Sequence, residues 1–368
     1  MITDYLHRKA SRNKIPLNGT FELSPVCNFS CKMCYVRKTP EQIRAQGKSL
    51  IPWQDWLALA RQCREAGTLY LLLTGGEPFL YPGFKELYLE LHKMGFLVAI
   101  NSNGTLIDEE TVSWLKEYAP YRINVTLYGT SPATYQRICG NPDGYERAIR
   151  AIRMLKDAGI PVVINASMIP ENQDDLESIF AIGRDLGIQV RMATYMFPPI
   201  RRDREESDSR FTPEVAAKMY LRRLRCQIPT ADYLDTIQSR ISPSETAPDS
   251  DVIWGRTTEY MRCRAGRSSF WINWEGCMTA CGMLDFPLKT HPFQHSFLDC
   301  WLRLTDTVRA TPVLHGCAGC SKRETCGVCV AMIYAETGTV DQKAPYLCHL
   351  ADSVLEQIRS ELEEKHEP

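Results

Sequence analysis

The sequence predicts an α/β fold in which parallel β-strands alternate with α-helices. Over roughly the first 230 residues, six short apolar runs recur, and helix-like signals follow them. Near-continuous apolar runs are typical of parallel strands, which are buried on both faces. Glycine, cysteine and small polar residues come directly after several of these runs, where α/β proteins place their sites. We therefore expect a parallel sheet with crossover connections.

The six strands are predicted from the apolar runs and the turn residues that end them, over residues 20–24, 71–73, 96–100, 122–127, 161–165 and 188–192. Acidic residues at 108–110 predict a helix start after the third strand, because negative charge is favoured there. Gly187 ends a helix predicted over 176–186. Thr212 is expected to cap a helix that runs to Arg225.

Three cysteines follow the first predicted strand with C-x3-C-x2-C spacing: Cys27, Cys31 and Cys34. A structural zinc takes four ligands and an ordinary cubane cluster takes four cysteines, so three leave one coordination position open. This spacing resembles that of the radical S-adenosylmethionine (SAM) enzymes, although Met33 stands where an aromatic residue is usual. The alternative is a zinc loop with a distant fourth ligand.

The resemblance implies a fold and a chemistry. The fold would be a partial (β/α)6 barrel. The three cysteines would hold a [4Fe–4S] cluster whose fourth iron binds SAM. Cleavage of SAM would give methionine and a 5′-deoxyadenosyl radical, which abstracts hydrogen from a substrate.

The second predicted strand ends in Gly75-Gly76-Glu77-Pro78, where glycines allow close approach to the backbone and a carboxylate suits an ammonium group. This run resembles the family motif that binds the amino group of SAM. By the same resemblance, Ser102 is a candidate for the SAM ribose, and Thr126 and Arg137 are candidates for its carboxylate. The alternatives are ordinary strand-end hydrogen bonding for the hydroxyls and a solvated helix charge for Arg137.

The carboxyl-terminal third differs in composition. We expect the barrel over residues 15–230, a linker over 231–255 and a cysteine-rich domain over 256–368. No signal peptide is apparent, so in a reducing cytoplasm the cysteines predict metal ligation rather than disulfides. No segment approaches a membrane span, and a net charge of −1 indicates no strong attraction to nucleic acid.

The spacing of these later cysteines resembles the SPASM extension, the auxiliary-cluster domain of many peptide-modifying radical SAM enzymes. The resemblance implies one [4Fe–4S] cluster on Cys317, Cys320, Cys326 and Cys348. A second would lie on Cys263, Cys281 and Cys329, either closed by Cys277 or open to substrate. With the SAM cluster this makes three. Two zinc ribbons are the alternative, because C-x2-C occurs twice.

The resemblance favours an oxidoreductase that acts on a ribosomally made peptide, forming a thioether or carbon–carbon crosslink or a dehydrogenated residue. Its reductant would be a flavodoxin or ferredoxin. Only about twenty residues precede the first strand, so we expect any leader peptide to be held by a separate protein or by the barrel. The alternatives are a small-molecule dehydrogenase or decarboxylase, acting on an aminosugar or tetrapyrrole, and a non-catalytic iron–sulfur carrier.

One departure argues against sulfatase maturation. Members with that activity carry an acid directly after the cysteine that corresponds to Cys281, and here Gly282 follows. The nearest acid is Asp285. Further candidate bases are Tyr128, Glu275 and His291.

Overall fold

The computed structural model describes residues 2–198, 209–241, 263–313, 317, 320, 322 and 326–364. Eight strands of this part of the chain form one sheet: β1 Asn18–Glu22, β2 Tyr70–Thr74, β3 Leu97–Ser102, β4 Arg122–Thr126, β5 Val162–Ser167, β6 Val190–Ala193, β7 Ser269–Ile272 and β8 Met278–Thr279. The helices are α1 Ile2–Arg12, α2 Pro40–Ala45, α3 Trp53–Glu65, α4 Phe84–Lys93, α5 Glu109–Glu117, α6 Pro132–Cys139, α7 Gly144–Asp157, α8 Leu176–Leu186, α9 Pro213–Gln227, α10 Thr230–Ile241, α11 Phe297–Ala310, α12 Val330–Thr337 and α13 Pro345–Glu364.

The strand order is β6-β5-β4-β3-β2-β1-β7-β8. Strands β1 to β6 pair in sequence and in parallel, which requires a crossover between each pair. The fold is therefore α/β with a partial (β/α)6 barrel, as predicted. Each predicted strand boundary lies within two residues of the observed one.

The predicted helix ends are also confirmed. The Asp108 carboxylate accepts a hydrogen bond from the Thr111 N–H at 2.9 Å where α5 begins. Gly187 adopts φ 62° at the end of α8, a conformation that favours glycine. Thr212 caps α9, and that helix extends two residues beyond the predicted Arg225, to Gln227.

Alternate residues of the strands face opposite sides of the sheet. On the helix side, Phe21 is fully buried and its ring packs 4.8 Å from Trp56 of α3. On the other side, the buried Glu22 carboxylate accepts a hydrogen bond from Trp271 Nε1 of β7 at 3.2 Å. The core therefore lies between sheet and helices, and the barrel interior carries polar groups.

The predicted domain boundaries stay predictions, but some elements cross them. Residues 231–241, placed in the linker, belong to α10, and the rest of the predicted linker lies outside the described residues. Strand β7, from the predicted second domain, pairs in parallel with β1. Helix α13 also packs along α9. The sheet and the core thus continue across the predicted boundary.

Polar contacts at two places tie the carboxyl-terminal region to the rest of the chain. In α1, the His7 Nδ1 atom lies 2.9 Å from Ser268 Oγ, and Asp4 pairs with Arg264 at 2.8 Å. Between the barrel and α12, Arg210 pairs with Glu336 at 2.7 Å. The Tyr195 hydroxyl donates to the same carboxylate at 2.8 Å.

The helices of the described ranges include none that is long and apolar enough to cross a bilayer.

Candidate active site

Two glycines hold the cysteine loop against the end of β2. The Gly76 N–H donates to the Ser24 carbonyl at 2.7 Å, and the Glu77 N–H donates to the Val26 carbonyl at 2.9 Å. A Cβ on Gly75 would lie 2.3 Å from the Ser24 oxygen, and one on Gly76 would lie 2.3 Å from the Val26 oxygen. The glycines predicted that something would approach their backbone closely. In the structure, the chain segment that leads into the cysteine loop makes this close approach.

Glu77 organises the end of β3. Its fully buried carboxylate accepts hydrogen bonds from Ser102 Oγ at 2.9 Å and the Asn103 N–H at 2.8 Å. The Phe79 N–H donates to the same carboxylate at 3.2 Å. Ser102 Oγ in turn accepts a hydrogen bond from the Gly104 N–H at 2.9 Å. Burial raises the pKa of Glu77 to about 7, although these hydrogen bonds oppose the rise. The network joins the predicted ribose and amino-group residues, whose contacts with SAM stay predictions.

The two residues predicted for the SAM carboxylate stand in different surroundings. Thr126 is half-buried and ends β4. Arg137 lies on the exposed side of α6, where its Nη2 atom donates to Thr134 Oγ1 at 3.1 Å and to the Glu171 carbonyl at 3.2 Å. The Arg137 guanidinium is thus directed toward the 3-10 turn Pro170–Asp175.

The donors around Cys27 and Cys34 suit metal-bound thiolates. The Phe29 N–H lies 3.4 Å from Cys27 Sγ, and the Arg37 N–H lies 3.3 Å from Cys34 Sγ. Burial raises the pKa of Cys27 to about 12, so an ionised sulfur here needs a bound cation. The cysteine loop therefore fits the iron–sulfur cluster that the spacing predicts.

Cys31 is held by the end of α6. The Ser30 N–H donates to the Cys139 carbonyl at 2.9 Å, and the Lys32 N–H donates to the Ile138 carbonyl at 3.0 Å. The neighbouring Cys139 side chain and burial keep the pKa of Cys31 well above its usual range, and the Tyr128 hydroxyl acts in the opposite direction. Cys139 is the last residue of α6. Sequence reasoning listed Tyr128 only as a base, although its place after a strand end was a usable signal.

Four later cysteines line one cavity of about 220 Å³: Cys317, Cys320, Cys326 and Cys348. Burial raises the pKa of Cys326 to about 11, and the other three sulfurs act on it in the same direction. Within the described ranges, no three His, Cys, Asp or Glu side chains have the spacing of a single metal ion.

The remaining predicted ligands form a second group. Burial raises the pKa of Cys329 to about 11, and Cys281 and Cys263 raise it further. Cys277 lines a neighbouring cavity together with Cys281, and its charge acts on Lys289. The structure therefore groups three thiols and places Cys277 on a cavity wall.

That cavity has a volume of about 760 Å³ and lies beside the cysteine loop. Tyr35 and Val36, which follow Cys34, line one part of it, and the β7–β8 hairpin lines another. Its charged lining residues are Lys38, Lys48, Glu275, Asp285, Lys289 and His291. The volume is in the range of small-molecule sites.

The structure gives a physical reason for the glycine that stands after Cys281 in place of an acid. A Cβ on Gly282 would lie 2.7 Å from the Trp271 ring, so a side chain there meets the indole. Asp285 lines the same cavity and pairs with Lys289 at 2.6 Å. Burial favours a higher pKa for Asp285, but its bonds with Lys289 and Tyr334 outweigh burial and lower the pKa. Asp285 is therefore an ionised acid on the wall of the cavity.

Comparison with known proteins defines the class. Residues 21–181 match the family model of the Radical SAM superfamily. The chain therefore carries a radical SAM domain and is an enzyme.

Individual relatives resemble most of the chain. The AdoMet-dependent heme synthase of Methanosarcina barkeri is 23% identical over 339 residues, covering 89% of this chain and 94% of that protein. The sporulation killing factor maturation protein SkfB of Bacillus subtilis is 25% identical over 299 residues, covering 77% of this chain and 64% of SkfB. The solved structure of anSMEcpe with bound AdoMet and the Cp18Cys peptide has a TM-score of 0.69 at 15% identity, over 95% of this chain and 98% of that one. This likeness shows the fold.

Proposed function

We propose that this enzyme binds SAM and a [4Fe–4S] cluster at the cysteine loop, residues 27–34, and takes a hydrogen atom from a ribosomally made peptide. When bound, these groups supply the 5′-deoxyadenosyl radical that removes the hydrogen. The observation that carries the proposal is the cavity of about 760 Å³, which extends from Tyr35 to Cys277 and Cys281. A substrate there would lie between the cysteine loop and the auxiliary cysteines.

The SAM contacts proposed here are made at the strand ends beside the loop. The backbone of Gly75-Gly76-Glu77-Pro78 and the Glu77 carboxylate would hold the amino group. Ser102 would meet the ribose. Thr126 would meet the carboxylate, and so would Arg137 after its guanidinium leaves the Glu171 carbonyl, a bond of 3.2 Å.

Two auxiliary [4Fe–4S] clusters complete the proposal. One would use the four thiols that line the 220 Å³ cavity. The other would use Cys263, Cys281 and Cys329, with Cys277 as a fourth ligand or with an open position. All fifteen cysteines are described and are free of disulfide bonds, which supports a reducing cytoplasm as the location.

A peptide substrate agrees with the cavity and with the relatives. Its wall combines aromatic, lysine and carboxylate side chains, which suits the varied groups of a peptide. SkfB is a maturation protein, and the anSMEcpe structure contains a peptide beside AdoMet. The product would be a thioether or carbon–carbon crosslink or a dehydrogenated residue. A flavodoxin or ferredoxin would be the reductant.

A second candidate is a small-molecule dehydrogenase or decarboxylase acting on a carboxylated metabolite such as a tetrapyrrole. It is favoured by the heme synthase relative, which aligns over 94% of its own length. Lys38, Lys48 and Lys289 on the cavity wall would suit substrate carboxylates.

An anaerobic assay with reconstituted protein tests both candidates. Reductant and SAM are added with peptides from reading frames beside the gene, or with carboxylated tetrapyrroles, and mass spectrometry follows substrate and 5′-deoxyadenosine. A peptide that loses two hydrogens in step with deoxyadenosine supports the first proposal. Loss of carbon dioxide from a tetrapyrrole, with every peptide unchanged, replaces it with the second. No deoxyadenosine at all contradicts both.

A further inference from the structure

We propose that Asn103 is a positioning residue that fixes the spacing between the Glu77 carboxylate and the cysteine loop. The inference rests on the proposed function, because it takes Glu77 as the group that holds the SAM amino group and the loop as the cluster site. It goes further by assigning a role to an asparagine outside both motifs. A molecule that contacts Glu77 and the iron at once binds tightly only when these two places are held at the right distance.

The backbone of Asn103 holds the Glu77 end of this link. The Asn103 N–H donates to Glu77 Oε2 at 2.8 Å, while the other carboxylate oxygen, Oε1, accepts from Ser102 Oγ at 2.9 Å. Glu77 is fully buried and Asn103 is only 5% exposed, so water does not compete for the bond between them. The Asn103 backbone therefore orients the carboxylate.

The side chain of Asn103 holds the loop end. Its Nδ2 atom donates to Asn28 Oδ1 at 2.8 Å and lies 3.7 Å from Cys27 Sγ. Asn28 directly follows Cys27, so both contacts are made at the first cysteine of the loop. Asn103 thus contacts the carboxylate through its backbone and the loop through its side chain.

Thr105 fixes the side chains of both asparagines. Asn103 Oδ1 accepts from the Thr105 N–H at 3.0 Å and from the Thr105 hydroxyl at 2.7 Å. The same hydroxyl oxygen accepts from Asn28 Nδ2 at 2.8 Å, which closes a ring of three side chains. Both ends of each amide are hydrogen-bonded, so neither amide can turn without breaking bonds. The link is therefore rigid.

A second contact joins the same two places through backbone alone. The Glu77 N–H donates to the Val26 carbonyl at 2.9 Å, one residue before Cys27. The side-chain link of Asn103 reaches Asn28, one residue after Cys27. One bond fixes a distance, whereas bonds on both sides of Cys27 also fix the direction in which the loop leaves the sheet. We therefore expect loss of the Asn103 side chain to weaken SAM binding while the three thiols stay in place.

The test is equilibrium binding of radiolabelled SAM to the anaerobically reconstituted full chain, with iron and sulfide measured in every sample. Asn103→Ala should raise the dissociation constant of SAM about tenfold at wild-type iron content, as is typical when a residue that supports a metal site is removed. Asn124→Ala is the matched control. Asn124 is a strand asparagine, 4% exposed, whose Nδ2 atom donates to Asn101 Oδ1 at 2.7 Å. This variant also loses a buried amide bond, and it should leave the dissociation constant unchanged.

A double-mutant cycle separates the link from a general loss of stability. Asn28→Ala removes the loop end of the same bond, so it should also raise the dissociation constant, and combining it with Asn103→Ala should raise the constant little further. Wild-type affinity in either single variant at wild-type iron content, or effects that multiply in the double variant, would overturn the inference.

Iron content decides the remaining cases. If one single variant loses iron, the affinity of the other decides. Loss of iron from both would overturn the inference, because Asn103 would then retain the cluster instead of spacing the two places. A wild-type chain that holds iron but binds no SAM would instead contradict the proposed function.

Discussion

The two cysteine regions of this molecule are built in different ways. The loop cysteines lie within residues 27–34, and the protein itself fixes their surroundings through the β2 glycines, the Glu77 network and the end of α6. The auxiliary cysteines come from residues 263–348 and meet across cavities. The comparison teaches that contacts within the barrel fix the first site, whereas the second depends on distant segments staying together.

The two regions also differ in what stabilises a charged sulfur. Burial raises the pKa of Cys27 to about 12 and of Cys326 to about 11, so an ionised sulfur at either position needs a bound cation or hydrogen-bond donors. Around Cys27 and Cys34, backbone N–H donors from the loop would share that work with metal. Around Cys326, three other thiols raise its pKa further and oppose ionisation until metal is bound.

The largest expected effect separates the two regions by function. Cys31→Ala should abolish deoxyadenosine formation to the background level, because the proposed SAM-binding cluster would lose a ligand. Cys326→Ala should keep deoxyadenosine formation within several-fold of wild type and lose the modified product. Both are measured by mass spectrometry after anaerobic reconstitution. Loss of SAM cleavage in Cys326→Ala would mean that the two sites are not independent.

The ion pair between the regions should give the next largest effect. Arg210 and Glu336 have side chains only 14% and 8% exposed. Because Glu336→Gln removes the charged partner of a mostly buried guanidinium, we expect a loss of about 3 kcal/mol in the free energy of unfolding. Urea denaturation measures it.

The matched control for that ion pair is exposed. Arg222 pairs with Glu177 at 2.6 Å, with side-chain exposures of 31% and 51%. Glu177→Gln should cost less than about 1 kcal/mol. Equal losses in the two variants would show that the Arg210–Glu336 pair does not hold the regions together.

Gly76→Ala tests whether the cysteine loop is fixed by the sheet. The new methyl group would press on the Val26 and Pro25 carbonyl oxygens, at 2.3 and 2.7 Å. We expect a destabilisation of about 2–3 kcal/mol and reduced iron uptake by the loop. Thermal unfolding and iron analysis report the two effects.

Gly95→Ala is the control variant, because it strains the backbone without creating a steric contact. Gly95 has φ 84°, and a Cβ there meets nothing within 4 Å. Its cost should be about 1 kcal/mol, from the left-handed backbone alone, with iron uptake unchanged. Normal iron uptake by Gly76→Ala would argue against the prediction that the sheet fixes the cysteine loop.

The smallest effect concerns the contact between α1 and the carboxyl-terminal region. Burial and the nearby Arg264 lower the pKa of His7 to about 4 from 6.5. As the pH falls, the unfolded chain takes up the proton before the folded chain does. The contribution of neutral His7 to the free energy of unfolding is therefore complete above pH 6.5 and is lost as the pH falls toward 4. The full shift would correspond to about 3 kcal/mol. Because solvent screens part of the interaction at this helix, we expect about 1–2 kcal/mol of pH-dependent stability from this group.

His7→Asn keeps a polar partner for Ser268 but does not titrate. Unfolding measured between pH 4 and 7 should be less pH-dependent in this variant than in the wild type. An identical pH dependence would show that other groups control it.

The barrel was predictable because its signals are local. Each strand is an apolar run with its own ending, and residues such as Asp108 and Gly187 mark helix ends within one turn. Helix α1, helix α10 and the pairing of β7 with β1 were missed. The ladder between β7 and β1 joins residues about 250 positions apart, and no local pattern records such a partner.

By itself, the sequence determined the parallel strands and their crossover helices, the spacing of the cysteines and the glycine–glutamate motif after β2, since these depend on neighbours along the chain. Only the tertiary structure decided what the motif residues touch. It put loop backbone against Gly75 and Gly76, protein donors around Glu77, and Tyr128 and Cys139 beside Cys31. These contacts join segments far apart in sequence, and they form because burying apolar helix and sheet faces brings those segments together.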